Sequence, residues 1–416
     1  MKLSMKQSRF FSKTKKELPK NIEVESHKLL IKADLIDQVA AGIYSFLPLG
    51  WRVYKNIENI IREEMEKLGA EEIFMPSLVP QNLWLETKRW TTIDPPLFLV
   101  KDRHNKLFGL GPTHEEIVTD LVRRRVESYK DLPFSVFQIQ NKFRNEMRPT
   151  GGLLRTREFM MKDLYSFHAT EEDILKFYQK VKKSYFNIFK RCGLDSVCVE
   201  ANSGTIGGKV SHEFMVISEA GEDRILVCDK CDFAANIEKA GRIKKCPNCQ
   251  AVLQMKRAIE IGHIFALGTR YSEAMKAYFK DKSGAACPII MGCYRIGLPR
   301  LLSVVIEKNH DKKGIIWPSN LAPFQVHLLS LENSRKVQKS ADKIYKDLQK
   351  VGIAVLYDDR QGKTAGEKLV EADLLGLPYR VIVSERTLAK NWVEVKKRDK
   401  RKIQLICPSK IKSFHF

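Results

Sequence analysis

The sequence predicts a chain of mixed helix and strand in at least two parts, the second a compact α/β module over roughly the last hundred residues. Three observations predict this. The chain has 416 residues, enough for two to four domains at ~100–200 residues each. Hydrophobic residues make up 44% and charged residues 29%, the balance of a globular protein and not of a disordered or fibrous one. From residue 326 onward, strand-like and helical runs alternate at the short spacing of α/β folds.

Taken in order, Val53, Ile57, Ile60, Ile61, Met65 and Leu68 fall on one face of a helix over 52–68, stopped by Gly69. A strand-like run at 72–75 ends at Pro76. Helices are expected over 115–126 and 171–190, with an alternating strand between them at 134–140. In the last part, 326–331, 353–357, 380–384, 393–397 and 403–407 read as strands, and 335–351 and 365–375 as helices. The segment Trp317-Pro318-Ser319-Asn320 is the expected joint.

Charge narrows the partners. Lys and Arg number 72 against 50 Asp and Glu, a net +22, which favours a polyanion, nucleic acid first among them. No run of about 18 apolar residues occurs, so no helical membrane span is expected. The N-terminus, MKLSMKQSRFFSKTKKELPK, lacks the apolar stretch of a secretion signal, and Glu17 and Pro19 disfavour a presequence helix. Nine cysteines, an odd number, include two CxxC pairs, which fits metal binding in a reducing compartment better than a disulfide framework.

Those pairs, Cys228-x2-Cys231 and Cys246-x2-Cys249, stand 14 residues apart. Each forms a tight knuckle able to offer two thiolates to one tetrahedral Zn²⁺. Four cysteines leave no open coordination position, so the expected role is structural.

The densest chemistry lies between Gly111 and His168. Gly111-Pro112-Thr113-His114-Glu115-Glu116 contains a capping box, Thr113 with Glu116, which leaves Glu115 available for a site. In FRNE, Arg144 and Glu146 sit two apart on an expected strand and share a face. A Pro/Gly turn, 148–152, follows as a hairpin loop, and Arg155-x-x-x-Phe159 leaves it. Arginines can clamp phosphates by paired hydrogen bonds, and an aromatic ring can stack on a base. Further on, MGCYRIGLPR sets Gly292 and Gly297 ahead of Arg300 at a helix start, again suited to a phosphate.

Together these segments resemble the class II aminoacyl-tRNA synthetases. FRNE, its loop and RTREF resemble motif 2, GIGLPR motif 3, and the helix leading to EEIFMP motif 1, which forms dimers. GPTHEE, FQIQNKFRNE, REFMMKDLYSFH, SHEF, IEIGHIFALGTRYSE, GCY and GIIWP further resemble the bacterial-type prolyl-tRNA synthetases, in that family's order, from about residue 6 to the C-terminus. The resemblance implies an α+β catalytic domain with an antiparallel sheet over 1–227 and 256–318. It implies a short zinc-ribbon-like segment at 228–255 where many bacterial members carry a long editing domain, and an α/β anticodon-binding domain over 319–416. It further implies ATP and Mg²⁺ as cofactors, L-proline and tRNA(Pro) as partners, a homodimer and a cytoplasmic location.

At the level of residues the resemblance implies that Arg144 clamps the α-phosphate and the proline carboxylate. Arg300 reaches the γ-phosphate, Glu146 and Phe159 meet adenine, Arg155 lies near the triphosphate, and Gly297 belongs to the nucleotide-binding turn. Thr113 and Glu115 hold the proline ammonium, while Phe167, His168 and Cys293 wall its ring. Asp358, Asp359 and Arg360, with Lys363 and Lys368, are expected at the anticodon. Two positions depart from the family: Arg295 stands where glycine is usual, and Ala266 replaces a common glutamine. Without an editing domain, alanine is expected to leak into a proline site, leaving mischarged tRNA to a separate trans-editing protein. The alternative reading is a synthetase-like tRNA-binding protein without catalysis; the presence of Arg144, Glu146 and Arg300 argues for the enzyme.

Overall fold

The helix expected from residue 52 runs over Pro48–Lys67 (α1). Val53, Ile57, Ile60, Ile61 and Met65 along its apolar stripe are all buried, and Gly69 follows at a φ of 78°, a left-handed conformation that costs glycine nothing. The structure is a computed structural model and describes residues 4–19, 22–202, 206–208, 210–241 and 243–416. The first three residues and Lys20 of the basic N-terminal stretch lie outside it.

Packing divides the chain into two units: Gln38–Tyr44 with Ile57–Val304, and Met1–Asp37 with Ser45–Asn56 and Val305–Phe416. The first is built on a nine-stranded sheet. Its strands are β1 (Glu71–Glu72), β2 (Phe134–Phe143), β3 (Glu158–His168), β4 (Val197–Glu200), β5 (Val210–Ile217), β6 (Asp223–Cys228), β7 (Ala234–Asn236), β8 (Leu253–Gly268) and β9 (Ile290–Gly297), in the order β5-β4-β7-β6-β8-β9-β3-β2-β1. The central pairings are all antiparallel. Strands β2 and β3 form the expected hairpin, in register from Phe134↔Phe167 to Phe143↔Glu158.

One face of this sheet is covered by α3 (Glu171–Arg191). Thr170 caps it by accepting from the Asp173 amide, three acidic residues fill its first turn, and Lys190 and Arg191 close the last, charges that complement the helix dipole. Tyr178, Tyr185 and Phe189 are fully buried beneath it. Gly262 on β8 allows this close approach, since a Cβ there would lie 3.0 Å from the Phe189 ring and 3.1 Å from that of Tyr185. The opposite face carries a core of Trp84, Val118, Val122, Phe167, Phe265 and Cys293, and α2 (Glu115–Arg123) packs into it. Between β6 and β8 the chain makes an excursion closed at its base by the pair Cys228↔Leu253, and this excursion carries the CxxC pairs.

The second unit follows the expected α/β rhythm: β10 (Val326–Ser330), α5 (Arg335–Lys350), β11 (Val355–Asp358), α6 (Ala365–Leu375), β12 (Tyr379–Val383), β13 (Val393–Lys397) and β14 (Ile403–Ile406). Its sheet also contains a strand the sequence did not announce. Met5–Lys6 pairs in parallel with β11, giving the order Met5–Lys6, β11, β10, β12, β13, β14. Two residues are too few to show a period, but they cover an open sheet edge. The expected joint at Trp317 is not a linker: its indole is buried and donates to the Leu375 carbonyl at 2.9 Å. The units part instead within the helix Leu298–Lys308 (α4).

Candidate active site

Strand β2 ends at Phe143, one residue before Arg144. Arg144 and Glu146 therefore lie just past the strand, although the ribbon is held one step further by the Arg144 amide donating to the Arg157 carbonyl at 2.8 Å. Both side chains still line one cavity of about 290 Å³, with Arg155, Phe159, Gly297 and Arg300. The Arg144 guanidinium lies 5.1 Å from the centre of the Phe159 ring and makes no ion pair or side-chain hydrogen bond among the described residues. Burial, with the Arg295 and Arg300 cations beside it, pulls its pKa down to about 10. A cation held without an anion in such a place is a receptor for one. Arg300, in the first turn of α4, is anchored to Glu260 at 2.9 Å and to the Leu154 carbonyl at 2.9 Å. Arg155 is exposed and pairs with Glu222 at 3.1 Å.

Beside this cavity sits a second, fully enclosed constellation. Glu115 opens α2 and is completely buried. Thr113 Oγ1 donates to its Oε2, Cys293 Sγ donates to its Oε1 at 3.1 Å, and the Arg295 guanidinium donates to the same Oε1. Arg295 also donates to Thr113 Oγ1 at 2.7 Å, and Arg89 stands 3.7 Å from Oε2. Burial alone would raise the carboxyl pKa; Arg295, Arg89 and these hydrogen bonds outweigh it and hold the group ionised, well below the usual carboxylate range. Thr113, Glu115 and Cys293 thus come together as expected, but with Arg295 already among them.

The capping box does not form. The α2 N-cap is His114, with no side-chain cap, because Thr113 is committed to Glu115 and Glu116 is buried against Arg89 at 2.7 Å and Thr87 at 2.8 Å. Phe167 is buried and stacks on Phe134 at 4.9 Å, in the same core as Cys293. His168 is corrected. One residue on along β3, it faces the other side of the sheet, bonded to Asp173 at 2.6 Å and packed 5.6 Å from Phe177 of α3, so it does not wall the pocket.

Among the described residues, two groups could hold a metal. The thiols of Cys228, Cys231, Cys246 and Cys249 all lie within 4.8 Å of one another, with Cys228 to Cys249 at 3.4 Å and Cys231 to Cys246 at 3.5 Å. A tetrahedron of Zn–S bonds near ~2.3 Å has edges of about 3.8 Å, so the donor set fits. The second group, Glu213, Glu260 and His263, also converges within 4.8 Å. Burial and the neighbouring Glu260 push Glu213 up to about 8. Glu260, despite burial, is held down to about 2 by His263, Arg300 and Arg144. Sequence reasoning left all three unassigned, although they lie inside the SHEF and IEIGHIF segments; Arg89 had no sequence signal at all.

Two of the anticodon candidates, Asp358 and Lys368, are corrected as well, because both are buried. Asp358 is fully buried and bidentate with Arg360 at 2.7 and 2.9 Å, and Arg360 continues to Glu371 at 2.6 Å. Lys368 is buried and donates to the Ser330 carbonyl at 2.6 Å. Asp359 accepts from the Ser8 amide and hydroxyl at 2.9 and 2.8 Å, and Lys363 pairs with Glu367 at 3.3 Å. A carboxylate buried at a strand end demands a cation, so Asp358 and Arg360 hold the module together.

An antiparallel sheet with an arginine-lined cavity beside a motif 2 hairpin, followed by an α/β module, defines a class II aminoacyl-tRNA synthetase. Residues 98–309 match the tRNA synthetase class II core domain (G, H, P, S and T), and residues 325–414 match an anticodon binding domain. The chain belongs to the proline–tRNA ligases. It is 37% identical to the proline–tRNA ligase of Dehalococcoides mccartyi over 552 residues, covering 97% of each chain, and 44% identical to that of a Wolbachia of Drosophila simulans over 407 residues, covering 95% of each. Its fold is also that of the Cryptosporidium parvum prolyl-tRNA synthetase complexed with halofuginone and AMPPNP (TM-score 0.77, 20% identity, 93% of this chain and 75% of the other). The Giardia lamblia enzyme in complex with prolyl-adenylate is similar (TM-score 0.77, 23% identity, 92% and 75%).

Proposed function

We propose that this chain activates L-proline with ATP and passes the prolyl group to tRNA(Pro). The proline carboxylate attacks the α-phosphate, a carboxyl–phosphate bond forms, and pyrophosphate leaves. A terminal ribose hydroxyl of the tRNA then attacks the carbonyl and AMP leaves. The observation that carries this reading is the position of Arg144: a cation without an anionic partner among the described residues, in the nucleotide cavity that Arg295, the partner of Glu115, also lines. A carboxylate is already ionised at neutral pH, so the first step needs alignment and charge neutralisation more than a base. Arg144 would bridge the two reacting anions, Arg300 would take the terminal phosphates, and Arg155 would leave Glu222 for the triphosphate. Glu146 and Phe159 would meet adenine. Glu115 and Thr113 would receive the proline ammonium, with Phe167 and Cys293 behind the ring.

Mg²⁺ would be held by the carboxylates of Glu213 and Glu260, whose oxygens suit a hard cation, and would screen phosphate charge. The four cysteines would hold Zn²⁺ as a strut. In place of the residues around Asp358, the surface offered to tRNA is a basic concavity of Lys397, Lys400, Arg401 and Lys402 edged by Tyr379, Phe414 and His415. A homodimer through motif 1 and a cytoplasmic location complete the reading. The alignment of 552 residues with the D. mccartyi relative exceeds the 416 residues of this chain, whereas that with the Wolbachia relative runs over 407; this supports the lack of an inserted editing domain. The test is ATP–pyrophosphate exchange across all twenty amino acids with an Arg144→Ala control. Exchange strongest with proline and lost in the control is expected; no exchange with any amino acid would favour a tRNA-binding protein without catalysis.

A further inference from the structure

The Glu115 constellation is complete before any substrate arrives. Oε1 of the carboxylate accepts from Arg295 and Cys293, and Oε2 accepts from Thr113 with Arg89 close by. A carboxylate offers about four acceptor sites, so little is left for an incoming ammonium. The charges are balanced too: Arg89 and Arg295 face Glu115 and Glu116. A further ammonium bound with Arg295 in place would leave excess positive charge buried, which is costly. Arg295 itself borders two spaces. Its guanidinium donates to Glu115 and Thr113 on one side and lines the nucleotide cavity, with Arg144 and Arg300, on the other. On the second side it meets the Phe265 ring at 5.5 Å.

We propose that Arg295 is a resident cation of the amino-acid pocket, which the substrate ammonium must displace from Glu115 and Thr113, and that the displaced guanidinium turns into the nucleotide cavity to meet phosphate. This rests on the reading of Glu115 as the ammonium receptor. Arg295 is then a specificity-determining residue. Only an amino acid that replaces its hydrogen bonds to Glu115 enters, and ATP, by offering an anion to the released guanidinium, favours that entry. Proline and ATP would therefore bind with positive coupling.

The test is ATP–pyrophosphate exchange with Arg295→Gly and Arg295→Met, the second keeping the bulk of the side chain without its charge, beside Glu115→Ala. Both Arg295 variants are expected to lower the proline KM roughly tenfold, the order of one charged hydrogen bond, while raising the ATP KM. Equilibrium binding should show proline affinity rising with a non-hydrolysable ATP analogue in the parent and not in either variant. A strut without this role would move the melting temperature and leave the KM values alone. A proline KM unchanged or raised in whichever Arg295 variant folds, with exchange still dependent on Glu115, overturns this inference alone. Exchange indifferent to Glu115→Ala overturns the pocket assignment and the inference with it.

Discussion

Glu115 and Arg295 meet as a buried ion pair although 180 residues separate them in the chain. The pair explains how a bulky residue stands where glycine is usual. Arg295 keeps the regular register of β9, opposite Asp163 on β3 and His263 on β8, so the strand is undisturbed and the change is confined to the pocket. Ala266, the other departure, sits where β8 and β9 shift register before Gly268.

Arg144→Ala should separate chemistry from folding. Since Arg144 has no ion pair to lose among the described residues, its removal should change stability by no more than ~0.5 kcal/mol. Adenylate formation should fall by at least ~10²–10³-fold, the scale of losing one aligned charge in a transition state. Single-turnover adenylation and a denaturant melt on the same preparation would decide it; near-normal adenylation would remove Arg144 from the site.

Lys162 gives a pH signature. It is fully buried, donating to the Tyr185 hydroxyl at 2.7 Å and the Tyr294 carbonyl at 3.1 Å, and burial pushes its pKa down to about 7. Unfolded, the group titrates near ~10.4, so between these values the unfolded chain binds the extra proton. Stability from this group therefore rises with pH across roughly 7 to 10, by at most ~1.4 kcal/mol per unit. Denaturation midpoints over that window should climb in the parent relative to Lys162→Met. Parallel profiles would show that the buried amine keeps its ordinary pKa.

How much of this was legible in sequence depended on range. The helix 171–190 and the strands of the last module announced themselves through periodicity and caps, which act within a few residues. Arg144, Glu146, Arg155, Phe159 and Arg300 were visible as motifs and do share a cavity. The failures were matters of long-range partnership. Asp358 and Lys368 looked like surface charges until the fold supplied Arg360 and the Ser330 carbonyl. His168 was one residue out of phase with the pocket face of β3. Arg295 read only as a departure from the family pattern, because no local pattern reveals that its guanidinium reaches Glu115.

The cysteine cluster predicts one tightly bound Zn²⁺ per chain. Metal analysis of the purified protein should give a ratio near one, abolished by Cys246→Ser. Its loss should unfold the excursion between β6 and β8, read as protease sensitivity within 228–255. The cluster lines no part of the nucleotide cavity, so adenylation should fall less than tenfold. A metal-free protein with an intact excursion would make the four thiols an accident of packing.

The basic concavity beside Tyr379 predicts where tRNA is gripped. Lys400 and Arg401 have exposed side chains, whereas Arg360 and Lys368 are committed within the module. Replacing Lys400 and Arg401 together by alanine should weaken tRNA binding, and the slope of log affinity against log salt should drop by about one to two. Arg360→Ala should instead lower stability with the salt slope unchanged. The reverse pattern would return anticodon contact to the Asp358 loop.

The proposed lack of an editing insert predicts mischarging. A pocket closed around a five-membered ring excludes the smaller alanine by only ~1–3 kcal/mol per methylene, so alanine should support exchange at high concentration. Deacylation of preformed alanyl-tRNA(Pro) by the pure protein should then match the spontaneous rate. The two measurements bear on different points. Alanine exchange tests how selective the proposed Arg295-gated pocket is, and tight rejection there would mean that displacement of Arg295 already discriminates against alanine. Deacylation tests for hydrolysis after transfer, and cleavage well above the spontaneous rate would require an editing site within these 416 residues.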